Sequence, residues 1–377
     1  MFSVAVHAGA GFHSKANEKS YKELCTDACC AAANILRCPV TATSAIDAAT
    51  AAVRVLEDHI LTNAGFGSCL SVDGTVECDA GVMCGRTLKF CSVGSVSCIK
   101  NPINVARSML IEHLSSTASE TGRIKPLILC GEGAMNWARD VAGIPLVPSK
   151  SLISKPAHEK WKKYCKLVNQ VEGQLRPNEL QLEPELPLRK RPRLIDRMDT
   201  VGAVCIDSSG NVCAALSSGG IPLKVCGRIG QACVYGCGSW AEITSALSVG
   251  VVTSGTGEQL IKTQLAQKLA ESILSDSESL LPDVVSSSFE RNFLNSRFLF
   301  HENTEKFGGA AGILLRPEMS GIVKSAVVEF FFIHSTQSLA YAYFASNMLR
   351  PQSGISRKPP SSNHASKYFA LHCTDIQ

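Results

Sequence analysis

The sequence lacks a long apolar run. A membrane-spanning helix needs about 18 to 20 consecutive apolar residues, and no such run occurs in the 377 residues. The first residues, "MFSVAVHAGAG", also lack the basic region, apolar core and small-residue cleavage site of a secretory leader. We therefore expect a protein that is neither secreted nor embedded in a membrane.

Strong net charge and paired metal ligands are also missing. The net charge is +4 with a pI of about 8.3, which is too mild to predict direct binding of nucleic acid. The 17 cysteines are scattered and odd in number, which favours free, buried thiols over a disulfide framework. Cys233 and Cys237 have no second pair behind them, so we expect no structural zinc and no cofactor.

Hydrophobic residues make up 45% of the chain and charged residues 19%, which allows a substantial core in one large domain or two ordinary ones. Apolar periodicity predicts helices and strands on both sides of a charged segment. This mixture predicts an α+β fold with helices against antiparallel sheets. The main predicted elements are helices at 18–37, 44–59 and 258–275, and strands at 2–6, 201–207, 211–217, 325–334 and 339–346.

The segment from about 151 to 198 is rich in charge and is interrupted by prolines. It cannot bury enough apolar surface to offset its ordering entropy, so we predict a mobile linker that is partly helical in its first half. Its basic sequence "RKRPR" (189–193), with four lysines upstream, is typical of a two-part nuclear import signal, although such charge runs also occur in solvated segments. The expected localisation is nucleus and cytoplasm.

The dipeptide Asp199–Thr200 stands between this linker and a predicted strand. A threonine hydroxyl is a poor nucleophile without a base, and the immediate stretch contains neither His nor Lys. A free α-amine on Thr200 would supply a base with a pKa of about 7.7 to 8.0. This layout suggests that the chain is cut before Thr200. The alternative is that Thr200 simply starts a strand.

Eight motifs occur in the order found in the type 2 asparaginase family of N-terminal nucleophile hydrolases. The chain resembles that family over nearly its whole length, and most of all its threonine aspartase (taspase) branch. The resemblance implies a four-layer αββα fold, self-cleavage between Asp199 and Thr200 into an α chain (1–199, core 1–150) and a β chain (200–377), and Thr200 as nucleophile. The motifs are "HAGAG" (7–11), "TNAGFGS" (62–68), "ECDAG" (77–81), "DTVGAV" (199–204), "SSGG" (217–220), "GRIGQ" (227–231), "SGTGE" (254–258) and "GGAAG" (308–312).

The resemblance also implies roles for single residues. Ser218 matches a second hydroxyl near the new amine, while Ser254 and Gly255 match an oxyanion hole, whose donors contribute about 3 kcal/mol each. Arg228 matches the arginine that binds a substrate carboxylate. Each position also has a plainer interpretation as a strand end, a helix entry or a surface arginine.

Three weaker placements near the site are Gly9, Lys15 and Asn63. Gln231 replaces an aspartate that holds the substrate ammonium in the asparaginase-like members. Two further departures are Gly81, where the family has a small hydroxyl residue, and Cys84, where it has an aspartate. We expect both in a loop beside the site, affecting loop stability or substrate affinity.

Three functions therefore compete. The first is a self-processing threonine endopeptidase that cleaves protein substrates after aspartate, at Asp-Gly bonds. The alternative is an asparaginase or isoaspartyl dipeptidase acting on small substrates. The third, a non-catalytic binding module, is disfavoured because Thr200, Ser218 and Arg228 are retained. The expected partners are protein substrates and the α and β chains themselves, as αβ or α2β2.

Overall fold

The computed structural model describes residues 1–38, 43–115, 122–174, 199–276, 278–301, 305–320, 323–358 and 369–376. The helices in these ranges are α1 (Glu18–Arg37), α2 (Ser44–Glu57), α3 (Pro102–Leu114), α4 (Gly131–Asp140), α5 (Lys155–Gln174), α6 (Gly257–Thr263), α7 (Leu265–Ser275) and α8 (Leu281–Phe289). The strands are β1 (Ser3–Gly11), β2 (Cys78–Cys84), β3 (Phe90–Val96), β4 (Ile128–Cys130), β5 (Val201–Ile206), β6 (Val212–Ser218), β7 (Ser239–Ile243), β8 (Ser248–Gly255), β9 (Gly308–Ser320), β10 (Val323–His334), β11 (Ser338–Ala345), β12 (Gln352–Arg357) and β13 (Ala370–Ile376).

The strands form two sheets. The first has the order β12-β11-β1-β5-β6-β2-β3-β4, and the second has the order β13-β10-β9-β8-β7. All pairings are antiparallel except the one between β3 and β4. β5, which begins directly after Thr200, lies between β1 and β6 near the centre of the first sheet. The predicted nucleophile therefore directly precedes the first residue of a buried strand that is paired on both sides.

The first sheet is buried on both faces. Along β1, Val4 and Val6 point into a core shared with α1 and α2, whereas Ala5 points into the core between the two sheets. This alternation follows from the two-residue period of a strand. The second core also contains the apolar faces of α7 and α8. The layers are thus helix, sheet, sheet and helix, which confirms the predicted four-layer αββα fold.

The predicted helix at 258–275 is interrupted in the structure. Gln264 has a φ of 48°, in the left-handed region, and it separates α6 from α7. A left-handed residue breaks the run of helical hydrogen bonds, and the N–H of Gln267 instead donates to the carbonyl of Gly236 at 3.0 Å. The apolar periodicity is continuous across residue 264, so the sequence predicted one helix where the structure has two.

Helix α5 occupies the first half of the segment predicted to be a mobile linker. The helical part of that prediction agrees with the structure, but α5 packs on the core through Trp161 and the buried Tyr164. Trp161 donates from Nε1 to the carbonyl of Ser71 at 2.9 Å. The lysines upstream of the predicted import signal lie on α5, and the signal itself (189–193) lies outside the described residues.

The 17 cysteines are free thiols, ten of them buried, as the sequence predicts. Burial raises the pKa of several of these thiols, for example that of Cys25 to about 12 and that of Cys78 to about 11. They therefore act as small apolar side chains in the core. Within the ranges given above, no helix is both long enough and apolar enough to cross a membrane.

Candidate active site

Thr200 lies where the chain enters β5, and only 2% of the residue is exposed. β5 pairs with β6 so that Val201 faces Ser217. This register brings Ser218 beside Thr200, whose hydroxyl donates to Oγ of Ser218 at 3.2 Å. Gln231 donates from Nε2 to Oγ1 of Thr200 at 2.8 Å. The predicted nucleophile is therefore held between two side chains that were also selected from the sequence.

The hydrogen-bond partners of the Thr200 hydroxyl are a hydroxyl and an amide, and neither is a base near neutral pH. A threonine becomes a good nucleophile only when a base takes its proton. In the uncut chain, the Thr200 nitrogen belongs to a peptide bond and cannot accept a proton. Cleavage before Thr200 would free an α-amine on the same residue, which can act as that base.

Gly9 packs against Asp199. Its φ is 109°, and a Cβ at this position would lie 2.4 Å from Cβ of Asp199 and 2.6 Å from its Cα. Only glycine combines this backbone conformation with such a close approach. The end of β1 that carries "HAGAG" thus fits directly against the residue that precedes the predicted cleavage point. Gly9 therefore lies beside Asp199, and its role toward a substrate stays a prediction.

His7 is a member of this site that the sequence analysis missed, because "HAGAG" was used there only as a motif of the family and Gly9 alone was selected from it. Its Nδ1 accepts the N–H of Gly9 at 3.3 Å. Burial and the nearby His13 lower the pKa of His7 to about 3, although the neighbouring backbone of Thr200 opposes the shift. The ring is therefore neutral near pH 7. It supports Gly9, which touches Asp199.

Asn63 connects two loops of the site and is fully buried. Its Nδ2 donates to the carbonyl of Gly220 at 2.6 Å, and its Oδ1 accepts the N–H of Cys69 at 2.8 Å. The Asn63 carbonyl also accepts the N–H of Gly219 at 2.7 Å. Both ends of the amide are therefore engaged by backbone groups. Asn63 fixes the turn that follows Ser218, and its role in binding a substrate stays a prediction.

Ser254 and Gly255 end β8. Oγ of Ser254 accepts the N–H of Ala10 at 2.8 Å, so the predicted oxyanion pair is tied to the "HAGAG" end of β1. Gly255 has a φ of 147°, and a Cβ there would lie 2.3 Å from the carbonyl oxygen of Phe307. The backbone at this point requires glycine. The oxyanion role of the two residues stays a prediction.

Arg228 forms a two-point ion pair with Glu258. Its Nε and Nη2 donate to the two carboxylate oxygens of Glu258, each at 2.8 Å. The Arg228 side chain is 14% exposed and that of Glu258 is 50% exposed. In the described ranges no hydrogen bond or ion pair joins Arg228 to Asp199. The arginine predicted to bind a substrate carboxylate thus has an internal carboxylate on one edge, and Asp199 is not its ligand in the uncut chain.

Gln231 lies in a short 3-10 helix, Gln231–Cys233, and is 2% exposed. Its Nε2 contacts Thr200, and its Oε1 lies 3.0 Å from the position that a Cβ on Gly257 would take. Nη2 of Arg228 lies 2.7 Å from that same position. The motifs "GRIGQ" and "SGTGE" therefore meet, and they place a neutral amide between the nucleophile and the arginine.

Two buried charged residues hold this segment, and neither was selected from the sequence. The Asp79 carboxylate accepts the N–H groups of Ser95 at 2.8 Å and Gly230 at 2.7 Å. Burial raises its pKa, against the charge of Lys224 and these two donors. Nζ of Lys224 donates to the carbonyl of Gly219 at 3.0 Å and to that of Glu77. Asp79 lies in the quoted motif "ECDAG", but its partners are distant in sequence.

Lys15 is exposed in a 3-10 helix before α1, and its placement near the site stays a prediction. Two other predicted placements differ from the structure. Gly81 and Cys84, expected in a loop, are buried on β2. A Cβ on Gly81 would lie 2.5 Å from the carbonyl oxygen of Ala232, so the backbone beside Gln231 excludes the hydroxyl side chain that the family has there.

Among the residues that the structure describes, no group of three or more His, Cys, Asp and Glu side chains is arranged to hold a metal ion. Every contact made by Thr200, Ser218 and Gln231 is with a protein hydroxyl, amide or backbone group. The chemistry of the cluster therefore has to be argued from hydroxyl, amine, amide and guanidinium groups.

Comparisons with known proteins agree with this arrangement. The sequence model of the asparaginase family matches residues 1–292. The isoaspartyl peptidase/L-asparaginase of Danio rerio is 36% identical over 225 residues, which are 59% of this chain and 61% of that protein. The enzyme of the same name from Mus musculus is 34% identical over 268 residues, 70% of each chain. The plant-type L-asparaginase of Pyrococcus horikoshii is 29% identical over 314 residues, 83% of this chain and 87% of that protein.

The buried threonine, the αββα fold and these likenesses define the class: the chain is an enzyme of the self-processing N-terminal nucleophile hydrolase type. Within that class it belongs to the type 2 asparaginase family. The relatives carry the names isoaspartyl peptidase and L-asparaginase, so the comparisons establish the family and leave the threonine aspartase branch a prediction.

Proposed function

We propose that the chain cuts itself between Asp199 and Thr200 and that the mature enzyme hydrolyses protein substrates on the carboxyl side of aspartate. The Thr200 hydroxyl attacks the Asp199 carbonyl, the peptide nitrogen leaves as the new α-amine, and water opens the resulting ester. In the mature enzyme, that amine takes the hydroxyl proton as Thr200 attacks the substrate carbonyl. Ser254 and Gly255 are proposed to stabilise the negative charge that develops on the carbonyl oxygen.

One observation carries the choice of substrate, namely that the amide of Gln231 contacts the Thr200 hydroxyl at 2.8 Å. A free amino acid brings an ammonium group, which needs a carboxylate for a charge-assisted hydrogen bond. A neutral amide cannot supply that charge, whereas an aspartate inside a peptide has no ammonium to bind. Arg228, three positions earlier in the sequence, supplies the positive charge for the aspartate side chain.

The second candidate is hydrolysis of asparagine or isoaspartyl dipeptides. The names of the relatives favour it, because those compared above are an isoaspartyl peptidase/L-asparaginase from two vertebrates and a plant-type L-asparaginase. In this candidate, Thr200 and Arg228 keep their roles, and Arg228 binds the α-carboxylate of the small substrate. The two candidates differ in which carboxylate Arg228 binds and in what the site provides for an ammonium group.

The sheet order supports a partnership of the two chains after cleavage. β1, β2, β3 and β4 belong to residues 1–199, and β5, β6, β11 and β12 belong to residues 200–377. Because β5 pairs with β1 on one side and β6 pairs with β2, the two pieces share one sheet through several ladders of hydrogen bonds. We therefore expect the α and β chains to stay together as one catalytic unit.

The test uses purified mature enzyme with an Asp-Gly peptide, its Asn-Gly and Glu-Gly analogues, and free asparagine, followed by mass spectrometry. We expect cleavage after aspartate and little turnover of asparagine. Thr200→Ala is the inactive control and should remain one uncut chain of 377 residues. The variant Gln231→Glu keeps the side-chain length but adds a negative charge, so it should lower turnover of the Asp-Gly peptide and favour asparagine. Faster turnover of asparagine than of the peptide by the unaltered enzyme selects the second candidate.

A further inference from the structure

The carboxylate of Glu258, in the first turn of α6, covers one edge of the Arg228 guanidinium. A guanidinium carries five N–H donors in a plane, arranged so that a carboxylate can approach along the side formed by Nε and one Nη or at the end formed by both Nη atoms. Glu258 takes the side edge, using Nε and Nη2 at 2.8 Å each. The end formed by Nη1 and Nη2 is the edge that Glu258 does not use.

Three glycines surround the guanidinium. A Cβ on Gly220 would lie 3.0 Å from Nη1, one on Gly230 would lie 3.2 Å from Nη1, and one on Gly257 would lie 2.7 Å from Nη2. Side chains at these positions would therefore collide with the end of the guanidinium or occupy the space beside it. Because none of the three positions carries a side chain, the backbone approaches the end of the Arg228 guanidinium closely. One of these positions, Gly220, follows Ser218 by two residues.

From this arrangement we infer that Glu258 is a positioning residue, which fixes the plane of Arg228 so that its Nη1–Nη2 end receives the carboxylate of the substrate. This rests on the proposed function, in which Arg228 binds that carboxylate. Glu258 does not touch the substrate in this role. It acts by holding the arginine in one orientation before the substrate arrives, so that less freedom is lost on binding.

The ionisation of Glu258 suits such a role. Burial opposes the charged form, but the hydrogen bonds and the charge of Arg228 outweigh it and hold the pKa of Glu258 below its usual range. The carboxylate is therefore charged near neutral pH. An ion pair with a half-exposed partner contributes little to folding, so its removal should leave a folded and processed enzyme in which the orientation of Arg228 has been lost.

The experiment measures kcat and KM separately for Glu258→Ala and Glu258→Gln, with the Asp-Gly peptide and its Asn-Gly analogue as substrates. We expect Glu258→Ala to be fully processed, to raise KM for the Asp-Gly peptide by about tenfold, the value of one charge-assisted contact, and to change kcat by less than about twofold. Because the Asn-Gly peptide has no side-chain carboxylate, its kcat/KM should change by less than about twofold. Glu258→Gln keeps the shape of the side chain, so its KM for the Asp-Gly peptide should lie between the values of the unaltered enzyme and of Glu258→Ala.

The matched control is Glu271→Ala, which removes a carboxylate paired with Lys268 on α7, away from the site. It should leave every constant unchanged. An unchanged KM in Glu258→Ala, or an equal loss for both peptides, would overturn the inference. Arg228→Ala separates this outcome from failure of the proposed function: if Arg228→Ala raises KM for the Asp-Gly peptide and Glu258→Ala does not, only the role of Glu258 is wrong. If the enzyme prefers free asparagine, the same comparison on its α-carboxylate tests Glu258 directly.

Discussion

At the scale of single residues, Gly9 shows how tightly the cleavage point is held. Its backbone has a φ of 109°, and a Cβ would overlap Asp199 at 2.4 Å. We predict that Gly9→Ala slows self-cleavage by at least about tenfold, because backbone strain of about 1 to 3 kcal/mol and the overlap must displace the bond that Thr200 attacks. The measurement is gel electrophoresis of freshly purified protein over time.

The control for this change is Gly133→Ala in α4. Gly133 lies in a helix, and a Cβ there meets nothing within 4 Å. Alanine is favoured over glycine inside a helix by about 0.5 to 1 kcal/mol, so this variant should be slightly more stable and cut at the normal rate. Normal processing of Gly9→Ala would show that the "HAGAG" end of β1 does not position Asp199.

The residues of the site fall into two groups, those that local sequence motifs mark and those that only the fold brings to the site. Thr200, Arg228 and Gln231 could be predicted because motifs and residue chemistry mark them directly. His7, Asp79, Lys224 and Glu258 could not be selected in this way, since their roles come from partners that the fold supplies. Asp79 and Gly230 are 151 positions apart, and Lys224 and Glu77 are 147 apart. No local pattern in the sequence reports such contacts.

At the scale of elements, the composition of α5 explains why this charged segment was predicted to be a mobile linker although it packs on the core. The helix buries only a narrow stripe, in which Tyr164 is 3% exposed and the ring of Trp161 lies against Gly74. Half of the other positions between 155 and 170 are polar and exposed, so average composition hides the apolar stripe. Two aromatic side chains at helical spacing therefore dock a segment whose overall composition resembles a linker.

We predict that Trp161→Ala releases α5 from the core. The change removes the hydrogen bond to the Ser71 carbonyl, 2.9 Å long, and the ring contact with Gly74. The expected loss is about 1 to 3 kcal/mol of docking free energy, seen as faster cleavage of α5 by thermolysin under native conditions. The exposed Lys166→Ala on the same helix is the control and should be cut at the original rate. Equal protection in both variants would mean that Trp161 does not hold α5.

At the scale of the whole molecule, the residues predicted an α+β fold and the resemblance to the family implied the layer order, but neither predicted the pairing of the strands. A strand that is apolar on both faces, as β5 is, is typical of a sheet covered on both sides. Which strands pair depends on contacts between distant segments, such as β1 between β5 and β11. The edge strand β12 was missed because it carries few apolar residues, whereas β13 was missed although four of its seven residues are apolar.

The folding stability of the whole molecule should also be highest near pH 6.5, because burial lowers the pKa of two histidines and raises that of one glutamate. Burial lowers the pKa of His7 to about 3 and that of His334 to about 4, from 6.5. The folded state then binds fewer protons than the unfolded state, so the stability from these histidines is complete above pH 6.5 and is lost as the pH falls. Burial raises the pKa of Glu57 from 4.5 to about 8, so its contribution is complete below pH 4.5 and is lost as the pH rises through 8.

Between pH 4.5 and 6.5 the two histidines outweigh the one glutamate, and between pH 6.5 and 8 Glu57 dominates among these three groups. Stability should therefore fall on both sides of pH 6.5, by up to about 1.4 kcal/mol per pH unit for each net proton. Urea unfolding of the uncut Thr200→Ala chain at pH 5, 6.5 and 8 measures this. In a Thr200→Ala chain that also carries Glu57→Gln, the decline from pH 6.5 to 8 should disappear, while the decline toward pH 5 should remain and become steeper. If the alkaline decline persists without Glu57, another group causes it and the assignment is wrong.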